Sequence, residues 1–247
     1  MRMFMRFLLP LILASQCATA AQVKDLEYGG ILFDYYQQDY FSALVQYEYA
    51  HSQNALQHHG DEARLLKGGM TLSYGIAGQA EEIFSQLLTP EVAAGQRNRA
   101  WFYLAKLYYQ KADTPRAAHA LMQINGQVPQ DIAGEYNYLA TLINIRNRQT
   151  DAANAGINQL SDNIRFQPYL IYNLAISQLK SGKTKEAMAS LNRVMTTAAL
   201  HKSEELAVLA DRARHALAQL EMTEGNLLAA WNYLQGVRTT GLYSNRA

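Results

Sequence analysis

Six alanines recur along this 247-residue chain at almost constant spacing. Ala43, Ala80, Ala117, Ala152, Ala187 and Ala230 each follow a short polar or glycine-containing break and open an apolar helical pattern, at intervals of 37, 37, 35, 35 and 43 residues. A period of this size is too long for a coiled-coil heptad and too short for a domain. It is the signature of a stack of helical hairpins, in which each unit buries its apolar face only against its neighbours. Solenoids of this kind present extended surfaces to partners and seldom carry a catalytic site of their own.

The first twenty residues set the cellular side. Arg2 and Arg6 precede an apolar run from Phe7 to Ala14, and Ala18-Thr19-Ala20 supplies a small-x-small ending. This reads as a signal peptide over 1–20, cleaved after Ala20. The run falls short of the roughly 20 residues that a helix needs to cross a bilayer, and Pro10 interrupts it. Cys17 is the only cysteine, and Ser15-Gln16 before it argues against a lipoprotein site, because Gln16 is large and polar where a small residue is needed. Lipid anchoring is therefore not expected. The mature chain, residues 21–247, then has no thiol, so an oxidising compartment suits it. Without Arg2 and Arg6 it has 20 basic against 21 acidic residues, a net charge of −1, and no basic run that would attract nucleic acid. No later apolar segment is long enough to span a membrane.

The third unit is the clearest. Trp101, Leu104, Ala105 and Tyr108 fall on one helical face, and Pro115 suits the first turn of a second helix, where no amide donor is needed. Ala117, Leu121 and Ile124 follow, with Pro129 beyond. The fifth unit repeats the order as Ile171, Leu174, Ala175, a turn at Gly182, then Ala187, Leu191 and Val194. The fourth gives Tyr136, Leu139, Ala140, Ile143 and Ala152, with Gly156 where a larger residue is usual. The second offers Leu65, Gly68 or Gly69, Leu72, Ala80, Phe84 and Leu87, and the first Tyr28, Ile31, Leu32, Tyr35, Ala43 and Tyr47.

The order Trp-x-x-Leu-Ala-x-x-Tyr, then Ala, Leu, Ile and Pro, resembles the tetratricopeptide repeat, over about residues 24 to 240. The resemblance implies an all-α, right-handed superhelical solenoid of antiparallel helix pairs, with about five to six repeats. It also implies a non-enzymatic exported scaffold, probed by protein or peptide partners of the cell envelope through a concave groove lined by the first helices. Carried over from the third unit, the groove positions are Arg99, Phe102, Lys106, Tyr109 and Gln110. The same offsets select Asn137, Thr141 and Asn144 in the fourth unit, and Tyr169, Tyr172 and Lys180 in the fifth. Tyrosine, phenylalanine and arginine are residue types that often carry interface energy. Two other readings stay open: a carbohydrate-binding module in polysaccharide export, served by the tyrosines of the first unit, and the targeting arm of a longer protein.

No cofactor is expected. His51, His58, His59, Asp61 and Glu62 offer metal-ligand chemistry, but adjacent histidines point apart in regular structure. Asp61 is read as the N-cap of a helix starting at Glu62, and the histidines as solvated loop residues. No Gly-x-Ser-x-Gly turn or phosphate-binding glycine loop is present. The Glu81-Glu82 and Glu204-Glu205 pairs fit helix starts, where acidic side chains favour the positive end of the dipole. The interval of 43 residues before Ala230 is assigned to one extended helix from Glu204 to Met222. Residues 241–247 are read as the start of a further first helix with no cap behind it, from which the array is expected to continue past 247.

Overall fold

The computed structural model describes residues 24–160, 166–200 and 203–244; the leader, with Cys17, and residues 245–247 lie outside them. The described residues form twelve helices and no strand: α1 (Leu26–Tyr36), α2 (Tyr40–Ser52), α3 (Gly60–Ser73), α4 (Ala77–Gln86), α5 (Ala94–Gln110), α6 (Thr114–Met122), α7 (Ala133–Arg146), α8 (Thr150–Gln159), α9 (Gln167–Lys180), α10 (Thr184–Ala199), α11 (Glu204–Thr223) and α12 (Leu227–Gln235). The chain divides into two compact units, Met1–Ala63 and Arg64–Ala247. In the first, α1 packs on α2; in the second, α5 packs on α6, α7 on α8, α9 on α10 and α11 on α12.

One turn is repeated six times. Gln38, Gly75, Ala112, Arg148, Gly182 and Gly225 all adopt left-handed backbone, with φ between +58° and +82°. Each donates its amide to the carbonyl three residues back, and the next residue donates to the carbonyl five back; at Ala112 and Asp113 these bonds go to Tyr109 (3.1 Å) and Tyr108 (2.9 Å). This is the Schellman closure of a helix C-terminus. The residue that completes it also begins the next helix. Its carbonyl accepts the amide of the fourth helical residue, and in all six hairpins that residue is an alanine: Ala43, Ala80, Ala117, Ala153, Ala187 and Ala230. All six are essentially inaccessible to solvent. A larger side chain at this place, one turn into the second helix, would push the pair apart.

The fourth alanine is thus Ala153 and not Ala152, which is exposed. The intervals are 37, 37, 36, 34 and 43. Adjacent alanines left two choices, and the more even spacing favours the wrong one. The long last interval has two sources, because α10 runs for 16 residues and α11 for 20. The extended α11 agrees with the expected Glu204–Met222 helix. No α-helix runs through residues 236–243, where Val237 is buried and Arg238 folds back to Asp211; a 3-10 turn is entered only at Ser244.

The second unit has two apolar cores that meet within α7. Leu139 and Ile143 belong to the one built on α3 to α6, with Phe84, Phe102, Leu104 and Leu107 among its buried members. Ile145 belongs to the other, with Ile157, Leu170, Leu174, Leu191 and Leu217. Two close approaches fix hairpin spacing. A Cβ added at Gly68 would lie 2.5 Å from the ring of Phe84, and one at Gly156 would run into the Thr141 hydroxyl.

Candidate interaction site

The first helices of three successive hairpins, α5, α7 and α9, line two adjoining clefts in the second unit. One, of about 520 Å³, is bounded by Lys106, Tyr109, Gln110, Tyr138, Leu142 and Phe166, and its lining is predominantly apolar. The other, of about 400 Å³, is bounded by Tyr109 and Leu142 again, with Ile145, Arg146, Arg148, Asn173, Ile176 and Lys180. The shared pair makes them one continuous groove. Counting back from the left-handed turn residue explains the lining: Lys106, Leu142 and Ile176 stand six places before it, and Tyr109 and Ile145 three places. These offsets share a helical face, so equivalent side chains of successive hairpins fall in a row.

The expected groove residues divide accordingly. Lys106, Tyr109, Gln110 and Lys180 line the groove. Phe102 (1% exposed), Thr141 (1%) and Tyr172 (7%) are core residues, inaccessible to a partner. The Thr141 hydroxyl donates to the Asn137 carbonyl at 2.8 Å, while the Arg212 guanidinium covers the ring of Tyr172 at 4.9 Å. Asn144 borders a different cleft, with Met122 and Tyr136. Asn137 is exposed but lines none of these clefts, and Tyr169 packs half-buried against the second core. The displacement in the fourth hairpin descends from the alanine register: the correct anchor, Ala153, moves Asn137, Thr141 and Asn144 to Tyr138, Leu142 and Ile145.

Charges in and near the groove are partly spoken for. Arg99 makes two bonds to Asp131, 3.0 Å from Nε and 2.7 Å from Nη2, and its hydrogen bond holds the Asp131 carboxyl below its ordinary range. Lys106 Nζ donates to Glu135 at 2.8 Å. The Arg146 guanidinium stacks 4.2 Å from the ring centre of Tyr109 and donates to that residue's carbonyl at 3.3 Å. Burial pushes the Tyr138 hydroxyl up from its usual value, so it enters the groove as a neutral group.

Away from the groove, two carboxylates organise the packing. Glu81 on α4 accepts from Lys111 (2.7 Å), Arg116 (2.7 Å) and the Tyr108 hydroxyl (3.0 Å). Led by the bond from Lys111, these donors outweigh burial and hold its pKa down at about 2. In the first unit Asp25 is buried, which would raise its pKa, yet the rings and backbone amides of His58 and His59 all bond to it and bring it to about 2. Asp25 therefore closes the start of α3, which begins at Gly60, so Asp61 lies within the first turn and is not the N-cap. Both histidines bond to Asp25; His58 stays largely exposed in the loop, as expected, while His59 is more enclosed and stacks on Tyr28 at 4.5 Å. Among the described residues no group of three or more His, Cys, Asp or Glu side chains is placed to hold a metal ion. No described helix is long and apolar enough to cross a membrane.

With the hairpins and groove in place, comparison with known structures bears on the fold. The chain is similar to the crystal structure of PilW, described as a widely conserved type IV pilus biogenesis factor, with a TM-score of 0.50 and 18% identity over 87% of this chain and 92% of that one. No protein-family model matches, the tetratricopeptide repeat included, and no curated protein matches. Identity this low speaks for the shared fold alone. Together with six helix pairs closed by one turn, it shows a tetratricopeptide-like helical-repeat fold.

Proposed function

We propose that the protein is a non-enzymatic exported scaffold that holds another envelope protein, or a peptide segment of one, in the groove along α5, α7 and α9. The observation that carries this reading is the continuity of the groove across three hairpins, with Tyr109 and Leu142 common to both of its parts. A row of equivalent side chains on successive first helices suits an extended or helical segment better than a compact small molecule. The signal-like leader supports export, and PilW, which shares the fold, is itself described as a type IV pilus biogenesis factor.

A photocrosslinking amino acid tests the site. Placed in turn at Tyr138 and Asn173 in the groove, and at the exposed Gln159 on α8 as control, it should yield discrete protein adducts in intact cells from the groove positions only. Equal labelling from Gln159, or adducts with glycan in place of protein, would rule the reading out.

A further inference from the structure

The two parts of the groove differ in charge, and the difference points to the chemistry of the occupant. The part beside Tyr138 and Leu142 contains one cation and one anion, Lys106 and Glu135, and they pair with each other. Among the described residues, the part beside Ile145 and Ile176 is lined by Arg146, Arg148 and Lys180 and by no acidic side chain. None of these three makes an ion pair with another described residue. Arg146 and Lys180 lie at the C-termini of α7 and α9. Each helix end carries roughly half a negative charge, so three full cations leave about two positive charges unmatched. That surplus stands out in a mature chain whose net charge is −1.

The turn itself places Arg148. It occupies the left-handed position, φ +58°, that Gly75, Gly182 and Gly225 fill in three other hairpins and Gln38 and Ala112 in the remaining two. A residue with a side chain is strained there by roughly 1–2 kcal/mol relative to the right-handed region. The side chain kept at that cost is exposed and lines the cationic part of the groove. Gln38 and Ala112 carry the same strain outside the groove, so it is the placing of Arg148 on the cleft, and not the strain, that bears on binding.

We infer that the groove selects an acidic protein segment, whose apolar side chains lodge beside Tyr138 and Leu142 while its carboxylates meet Arg146, Arg148 and Lys180. This rests on the scaffold reading above and adds the chemistry and direction of the bound segment. Arginine beside a carboxylate gives paired, oriented hydrogen bonds, so the contact would set register as well as strength. Three cations in one cleft are too few for a nucleic-acid track, which needs a patch or stripe along the surface.

The test is selection from a random dodecapeptide library on the purified protein, followed by anisotropy titration of enriched peptides. Enriched sequences should carry Asp or Glu within a few residues of Leu, Phe, Tyr or Trp. Arg148→Gly should weaken binding about fivefold and Lys180→Glu on the order of tenfold, with wild-type affinity falling as salt rises. Arg148→Gly should at the same time raise Tm by about 2 °C, so its loss of binding could not be laid to misfolding. Ala112→Gly, the matching change one hairpin earlier and outside the groove, should raise Tm and leave affinity unchanged. Enriched peptides without acidic bias, or affinities that ignore both charge variants, overturn the inference and leave the scaffold reading intact. Absence of peptide enrichment, or enrichment only of anionic glycans in a parallel array, overturns both.

Discussion

The third and fourth hairpins share one turn geometry and place different side chains on it. In the third, α5 buries Phe102, Leu104, Ala105, Leu107 and Tyr108 in a single core, and its partner α6 offers Ala117, Ala120 and Leu121. In the fourth, α7 serves two cores and is apolar around most of its circumference, so Tyr138 and Leu142 are left in the groove while Leu139, Ile143 and Ile145 are buried. The tightest approach is also built differently. Seven places before the turn residue and eight after it, the third hairpin has Ala105 and Ala120, and the fourth has Thr141 and Gly156. Size removed from one helix reappears on the other. The spacing of the pair is thus preserved by the sum of two side chains, and neither position need be alanine for the hairpin to close.

The largest expected effect separates the two hairpins at one shared place. Phe102 and Tyr138 both stand ten residues before their turn residue, yet only Phe102 is fully buried. Phe102→Ala should cost about 3–5 kcal/mol in denaturant unfolding, and Tyr138→Ala only about 1 kcal/mol. Equal losses would mean that the hairpins pack alike. Next, Gly156→Ala should destabilise by roughly 1–2 kcal/mol, crowding against Thr141 exceeding the gain in helix propensity. Adding Thr141→Ala should recover most of that loss and so rebuild the third hairpin's alanine pair; a double-mutant cycle showing no coupling would refute the compensation.

A smaller effect concerns how each hairpin is joined to its neighbours. Glu81, six places after its turn residue, is tied to α5 and α6 by charge, whereas the equivalent Asn154 in the fourth hairpin accepts only a 3.3 Å bond from Arg193. Because the folded pKa of Glu81, about 2, lies below its ordinary value of 4.5, its contribution is complete above about pH 4.5 and fades as pH falls towards 2. Glu81→Gln should lower stability by about 1 kcal/mol near neutrality, solvent contact discounted, and should flatten the acid limb of the stability curve between those values. An unaltered acid limb would leave Asn154 and Glu81 equivalent. The smallest effect tests what the hairpins share: Ala112→Gly should add about 0.5–1 kcal/mol, since glycine relieves the left-handed turn. A loss of stability there would show that the turn is not strained.

How far the sequence could be read follows from these same residues. Helix pairing, five of the six buried alanines, and the buried faces of α4 and α10 are visible because their apolar residues form one stripe between polar turns. The groove is visible only where the register is secure, in α5, and at Lys180. In α7 no stripe exists to choose between neighbouring registers, and the turn residue is Arg148 rather than a telltale glycine. One misplaced alanine then moves every groove residue of that helix by about 100° around its axis. Phe102 and Tyr172 fail for another reason: the offset selects the correct face, but burial depends on neighbours distant in sequence. A left-handed arginine cannot be recognised without coordinates, so the cationic end of the groove has no signature in the chain apart from Arg146 and Lys180.

The six turns also bear on how the molecule comes apart. In the second unit the substantial helix packings reach at most two elements along the chain, as between α5 and α7, α7 and α9, or α9 and α11. Short reach means little loop entropy to overcome at each closure and rapid, local assembly. It also means that few ties join remote parts of this unit. Under tension the unit should lengthen in steps, one hairpin yielding while its neighbours hold, so a load at one end need not empty a groove two hairpins away.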